Sequence, residues 1–166
     1  MPVLPEPTVL SLPTPEATTA LARRLAPGLG AGDVLLLDGP IGAGKSHFAR
    51  ALILARLNAV GLWEEVPSPT FTLVQTYHAG DLEIWHADLY RLTHADEALE
   101  LGLAEAFTTA LCLVEWPDRL GPDLPADALR LEFAYGAGQD ARQLTLTGGA
   151  RWAGLLAGLA QTVCDV

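Results

Sequence analysis

GPIGAGKS, residues Gly39 to Ser46, satisfies the pattern G-x-x-x-x-G-K-[ST] at every fixed position. The apolar run Val34-Leu35-Leu36-Leu37 precedes it, and a helix-forming run, His47 to Asn58, follows. Strand, glycine loop and helix in that order are the context a phosphate-binding loop needs. Glycines let the backbone turn several N–H groups toward one anion. The following helix adds its own unpaired N–H groups and the positive end of its dipole. In such a loop the Lys45 ammonium reaches the β- and γ-phosphates and the Ser46 hydroxyl ligates Mg²⁺. Of the 10 Lys+Arg residues, Lys45 is the only lysine. A chance lysine at the one position the pattern demands is therefore improbable.

The segments on either side predict the architecture. Val9 to Leu12 reads as a short strand. Thr14-Pro15-Glu16 reads as a helix start, with Thr as N-cap and Pro at the first helical position, and that helix ends before Pro27-Gly28. Asp33 to Asp38 is apolar enough for a strand buried on both faces, hence parallel to its neighbours. Ala59 to Glu65 is a poorly defined connection, and Pro67-Ser68-Pro69 is extended. Thr70 to Tyr77 alternates, with Phe71, Leu73, Gln75 and Tyr77 on one face. A turn at His78-Ala79-Gly80-Asp81 leads into Leu82 to Asp88 as its antiparallel partner. Short helices follow at His94–Leu101, with Thr93 a candidate cap, and at Leu103–Ala110. Leu111 to Val114 is another apolar strand and ends on Glu115. Pro117 to Pro125 is an irregular loop. Leu129–Tyr135 and Gln143–Thr147 form a hairpin around Gly136-Ala137-Gly138, and residues 150–164 a closing helix. The class is α/β: three layers, α/β/α, around a mixed, partly parallel sheet that includes an antiparallel hairpin. The chain reads as a single domain, residues 1–166, with 1–7 loose.

Composition restricts the function. Half the residues are hydrophobic and 18% are charged, so the chain is globular. A net charge of −10 argues against direct nucleic-acid binding, because phosphate contacts supply most of that affinity. Any role in RNA chemistry runs through a partner. Cys112 and Cys164 lack metal spacing and suit a reducing compartment. MPVLPEPTVL has no basic region and too many prolines for a signal peptide. The apolar segment Trp152–Ala160 is about half the length of a membrane span. The expectation is a soluble, cytoplasmic protein.

Nucleotide binding does not name a reaction. Hydrolysis needs a carboxylate at the end of a core strand beside the loop. Glu115 and Asp88 qualify, each closing a strand. His86 stands two residues before Asp88 and shares its face, so it could bind metal, relay a proton or simply bond a neighbour. The PSPTFT segment, with Thr70 and Thr72, lies where nucleotide switches order against the γ-phosphate. Trp116 is core, a partner contact or a lid on the nucleotide.

GPIGAGKS, SPTFTLV, HADLYRL and LVEWPDRL, in this order and at these intervals, resemble the TsaE (formerly YjeE) family of small bacterial ATPases. The likeness covers roughly residues 9 to 147. It implies the P-loop NTPase fold and a role in making N6-threonylcarbamoyladenosine (t6A) at position 37 of tRNAs reading codons that begin with A. It implies TsaD and TsaB as partners, tRNA engaged only through their complex, and an ATP-driven switch rather than transfer of the group itself. ATP is expected on Gly39, Ile41, Gly42, Ala43, Gly44, Lys45 and Ser46, with Thr70, Trp116 and Arg142 also contributing. Mg²⁺ is expected on Ser46, where the family more often has threonine, and on Glu115. Lys45, Asp88 and Glu115 are the expected catalytic residues. Two rival readings of the residues are a small-molecule kinase and a nucleotide-binding module that does not hydrolyse. No Arg-rich lid segment, which such kinases usually need, follows the phosphate-loop helix.

Overall fold

The apolar run before the glycine loop is strand β2 (Val34–Asp38), and it lies at the middle of a seven-stranded sheet. The computed structural model describes residues 6–69, 73–94 and 96–164. In chain order the remaining elements are β1 (Thr8–Leu12), α1 (Pro15–Leu25), α2 (Lys45–Ala59), β3 (Val74–Ala79), β4 (Leu82–Asp88), α3 (Asp96–Glu100), α4 (Leu103–Thr109), β5 (Leu111–Glu115), β6 (Leu129–Tyr135), β7 (Arg142–Thr147) and α5 (Ala153–Cys164). The sheet order is β1-β7-β6-β2-β5-β4-β3. The central strands β6, β2, β5 and β4 are parallel, while β7, β1 and β3 add antiparallel edges. β2 is covered on both faces, which is why Val34 to Leu37 carries no polar alternation.

Two apolar clusters flank the sheet. On one face Leu35, Leu37, Leu113 and Leu131 pack with Leu21 and Leu25 of α1, Phe48, Leu52 and Ile53 of α2, and Leu156 of α5. On the other, Leu36, Cys112 and Val114 pack with Ala98 of α3, Leu103 and Ala106 of α4, and Leu120. The expected three layers and mixed sheet are therefore present. Burial pushes the Cys112 thiol up to about 12, with Glu83 adding to the shift, so this cysteine is an inert core residue.

Local signals explain the boundaries. Thr14 Oγ1 accepts from the Ala17 N–H at 3.2 Å and caps α1. The second helix begins at Lys45, two residues earlier than its periodicity indicates, because Gly44 at φ 105° serves as its N-cap. The turn expected over His78–Asp81 is shorter. β3 runs on through His78 and Ala79, and Gly80, at φ 66°, turns with Asp81 alone. At its other end β3 starts at Val74, after Leu73 at φ 67°, while Thr70, Phe71 and Thr72 lie outside the described residues. The helix expected over His94–Leu101 is confined to α3, and Thr93 donates to the Glu97 carboxylate at 2.8 Å. Pro117–Asp123 forms 3₁₀ turns, and Ala150–Trp152 forms one ahead of α5. No helix among the described residues is long and apolar enough to cross a membrane.

Candidate nucleotide site

The site lies where the parallel strands end. β2 delivers the chain into Gly39, whose φ is 137°. A Cβ there would fall 2.5 Å from the Phe133 carbonyl oxygen on the neighbouring strand β6, so only glycine fits. Asp38 braces the turn: its Oδ1 accepts from the Gly39 N–H at 2.9 Å, and its Oδ2 accepts from Arg130 at 2.9 Å. Ala43 N–H donates to the Pro40 carbonyl at 3.2 Å and Phe48 N–H to the Gly44 carbonyl at 2.9 Å, closing the loop onto the first turn of α2. Gly42 and Gly44, at φ 79° and 105°, take conformations that other residues resist.

A cleft of about 350 Å³ opens over this loop, lined by Ile41, Gly42, Gly44, Lys45, Ser46, Asp88, Tyr90, Glu115 and Trp116. Register explains why both carboxylates reach it. Glu115 of β5 pairs with Leu37 of β2, and Asp88 of β4 pairs with Glu115. Only Glu115 is on a strand adjoining β2. Asp88 is one strand further away, a correction to placing both beside the loop strand.

Four contacts define the chemistry. Ser46 Oγ donates toward Glu115, 2.8 Å from Oε1 and 3.0 Å from Oε2. His86 Nε2 lies 2.7 Å from Glu115 Oε2, so the ring does bond a neighbour. Lys45 donates to the Gly39 carbonyl, and its ammonium sits 3.5 Å from the centroid of the Trp116 ring. Trp116 itself is at φ 58°, and its ring lies 5.0 Å from that of Tyr90. Burial holds the Lys45 ammonium below its ordinary value, opposed by Glu115, Asp38 and Asp88. Burial likewise raises the Asp88 carboxyl; the Tyr90 N–H, donating at 3.1 Å, opposes it, Glu115 adds to it, and His86 and Lys45 oppose it.

The sequence-predicted residues Ile41, Gly42, Gly44, Lys45, Ser46, Asp88, Glu115 and Trp116 meet in one cleft. Gly39 and Ala43 are in the same loop, with Ala43 buried beneath it. Arg142 stands at the loop's outer side. Its guanidinium donates to the carbonyls of Gly42 at 3.1 Å, Ala141 at 2.8 Å and Gln139 at 2.9 Å. Thr70 falls outside the described residues. Sequence reasoning missed three residues: Asp38, Tyr90 and Tyr135, whose hydroxyl donates to the Ile41 carbonyl. Asp38 and Tyr90 were within reach, one immediately before the first loop glycine and one inside HADLYRL. Tyr135 needed the sheet order.

Comparison with known proteins agrees with this geometry. Residues 12–144 match the family described as "Threonylcarbamoyl adenosine biosynthesis protein TsaE". This chain belongs to the TsaE family. A Bacillus subtilis protein named tRNA threonylcarbamoyladenosine biosynthesis protein TsaE is 39% identical over 134 residues, 80% of each chain. One of the same name from Rickettsia felis is 42% identical over 110 residues, 66% of this chain and 63% of that protein. The crystal structure of Bacillus subtilis YdiB superposes with a TM-score of 0.75 at 29% identity, covering 98% of both chains. The TsaE resemblance and the P-loop α/β fold expected from the motifs are both borne out.

Proposed function

We propose that this TsaE-family chain is a cytoplasmic, Mg²⁺-dependent ATPase of t6A formation. In this reading it acts with TsaD and TsaB as an ATP-driven switch, and the transfer of the threonylcarbamoyl group takes place on its partners. The observation that carries the reading is the Ser46–Glu115 contact beside Lys45, at the mouth of a glycine loop.

Each residue has a part. The loop's N–H groups and the N-terminus of α2 bind the phosphates. Lys45 is parked on two neutral partners, a carbonyl and an aromatic face. Phosphate oxygens are stronger partners for an ammonium, so nucleotide draws it from both. Ser46 and Glu115 would hold Mg²⁺. Their donor set fits: a hydroxyl and a carboxylate, hard oxygens only, with no cluster of three acidic or metal-binding side chains among the described residues. Mg²⁺ characteristically takes one or two protein ligands and completes its shell from phosphates and water. When bound, it offsets the negative charge of the triphosphate. Asp88, buried in the same cleft, serves turnover rather than binding. The half-buried ring of Trp116 excludes water from the Lys45 side.

Lys45→Ala is expected to abolish nucleotide binding in a calorimetric titration. Glu115→Ala is expected to keep part of that binding and lose Mg²⁺-dependent release of inorganic phosphate. Normal phosphate release by Glu115→Ala would rule out the role given to Glu115. Phosphate appearing on a small-molecule acceptor instead of in solution would make the protein a kinase.

A further inference from the structure

His86 is the one buried histidine of the four in the chain, and the phosphate chemistry above makes no use of it. It sits on β4 on the same face as Asp88, opposite Leu113 in register, but it does not line the cleft. It stands behind Glu115. The two side chains are 1% and 3% exposed, with Nε2 2.7 Å from Oε2. Ser46 approaches the same carboxylate from the cleft side. Glu115 is thus held between a ring at its back and a hydroxyl at its front.

The second ring nitrogen makes the case sharper. His86 Nδ1 is closed off from solvent and has no hydrogen-bond partner among the described residues. An ionised carboxylate only accepts, so Nε2 carries the hydrogen. An apolar side chain of similar size would fill this space without orphaning a nitrogen. What imidazole adds is one directed hydrogen bond to Glu115, and an orphaned polar atom is tolerated for that gain.

The geometry points to His86 as a positioning residue that fixes the Glu115 carboxylate facing Ser46, in the orientation in which the pair receives Mg²⁺. This rests on the reading that Ser46 and Glu115 hold the ion. Residues behind a metal ligand set its orientation, and their loss typically weakens metal affinity about 10–100-fold.

The test titrates MgCl₂ into each variant with a non-hydrolysable ATP analogue and reads analogue affinity by calorimetry, with EDTA as the metal-free reference. His86→Leu should keep the affinity measured in EDTA. It should need about tenfold more Mg²⁺, or beyond, to reach half of the metal-dependent gain. His86→Gln carries an amide N–H at the reach of Nε2 and should recover most of the response. His86→Asn is as polar but too short and should not. A wild-type Mg²⁺ response in both the Leu and Asn variants, with the response lost in Glu115→Gln, would overturn the role of His86 alone. A wild-type response in Glu115→Gln would overturn the Mg²⁺ assignment and this inference with it.

Discussion

Asp88 shows at the level of one residue how a working site opposes stability. It is 6% exposed, and its carboxyl is raised above its ordinary value of 3.8 chiefly by burial. The sign follows from proton linkage. Between 3.8 and the raised value the folded chain binds the proton more tightly than the unfolded chain does. Stability therefore falls as pH rises through that window, and above it the cost of the buried charge is complete. Asp88→Asn removes the charge and can still accept from the Tyr90 N–H. Urea denaturation should find this variant more stable than the parent at neutral pH, with the gain shrinking as pH drops below the window. Phosphate release should fall at the same time. Equal activity, or a stability gain over the parent no larger at neutral pH than in acid, would contradict this account of Asp88. Lys45 carries the same balance with the opposite charge. Three carboxylates favour its charge but do not fully offset its burial, which leaves it ready to gain from a triphosphate.

Elements, rather than single residues, hold the glycine loop in shape. The β6–β7 hairpin reaches over it, with Tyr135 bonded to the Ile41 carbonyl and Arg142 to the Gly42 carbonyl. Arg142 also lies 5.3 Å from the Tyr135 ring, so the two act as one clasp. Arg142→Ala should loosen the loop and weaken ATP and ADP alike, by about tenfold, the worth of one charge-assisted hydrogen bond. The Mg²⁺ response should stay as in the parent. Calorimetry with both nucleotides decides: a loss confined to ATP would mean that the guanidinium meets the γ-phosphate directly. This clasp marks the limit of what the sequence makes legible. Local pattern predicts β2, β4 and β6 almost residue for residue, because an apolar run or an alternation is its own signal. It mistakes the length of β3, because two residues suffice for a turn where four turn-forming residues stand. Pairing across the sheet carries no local signal. That is why Asp88 is assigned one strand too near the loop, and why Tyr135 and the His86–Glu115 bond stay out of reach. The motif residues of the cleft were legible because phosphate binding dictates their types and spacing.

Across the whole molecule, the −10 charge and the nucleotide cleft lead to one expectation about partners. A polyanion gains most of its protein affinity by releasing counterions to basic side chains, and this surface offers few. The isolated chain should therefore not retain labelled tRNA in filter binding at either low or moderate salt. Binding that is tight in low salt and lost steeply as salt rises would contradict this, and the cleft lined by Arg23, His47 and Arg50 would be the first place to look. If tRNA is engaged only through TsaD and TsaB, the ATP cycle can matter only by changing how this chain meets them. A nucleotide shifts such an encounter only by the difference between its affinities for the bound and free forms. Linkage then makes the effect mutual: partners that favour the ATP form must tighten ATP by the same factor as ATP tightens them. Couplings of this kind are about 5- to 150-fold. Retention of TsaD and TsaB by the immobilised chain should differ by at least about fivefold between a non-hydrolysable ATP analogue and ADP. The analogue's affinity should move by the same factor when the partners are added. Equal retention under both nucleotides would leave hydrolysis nothing to switch.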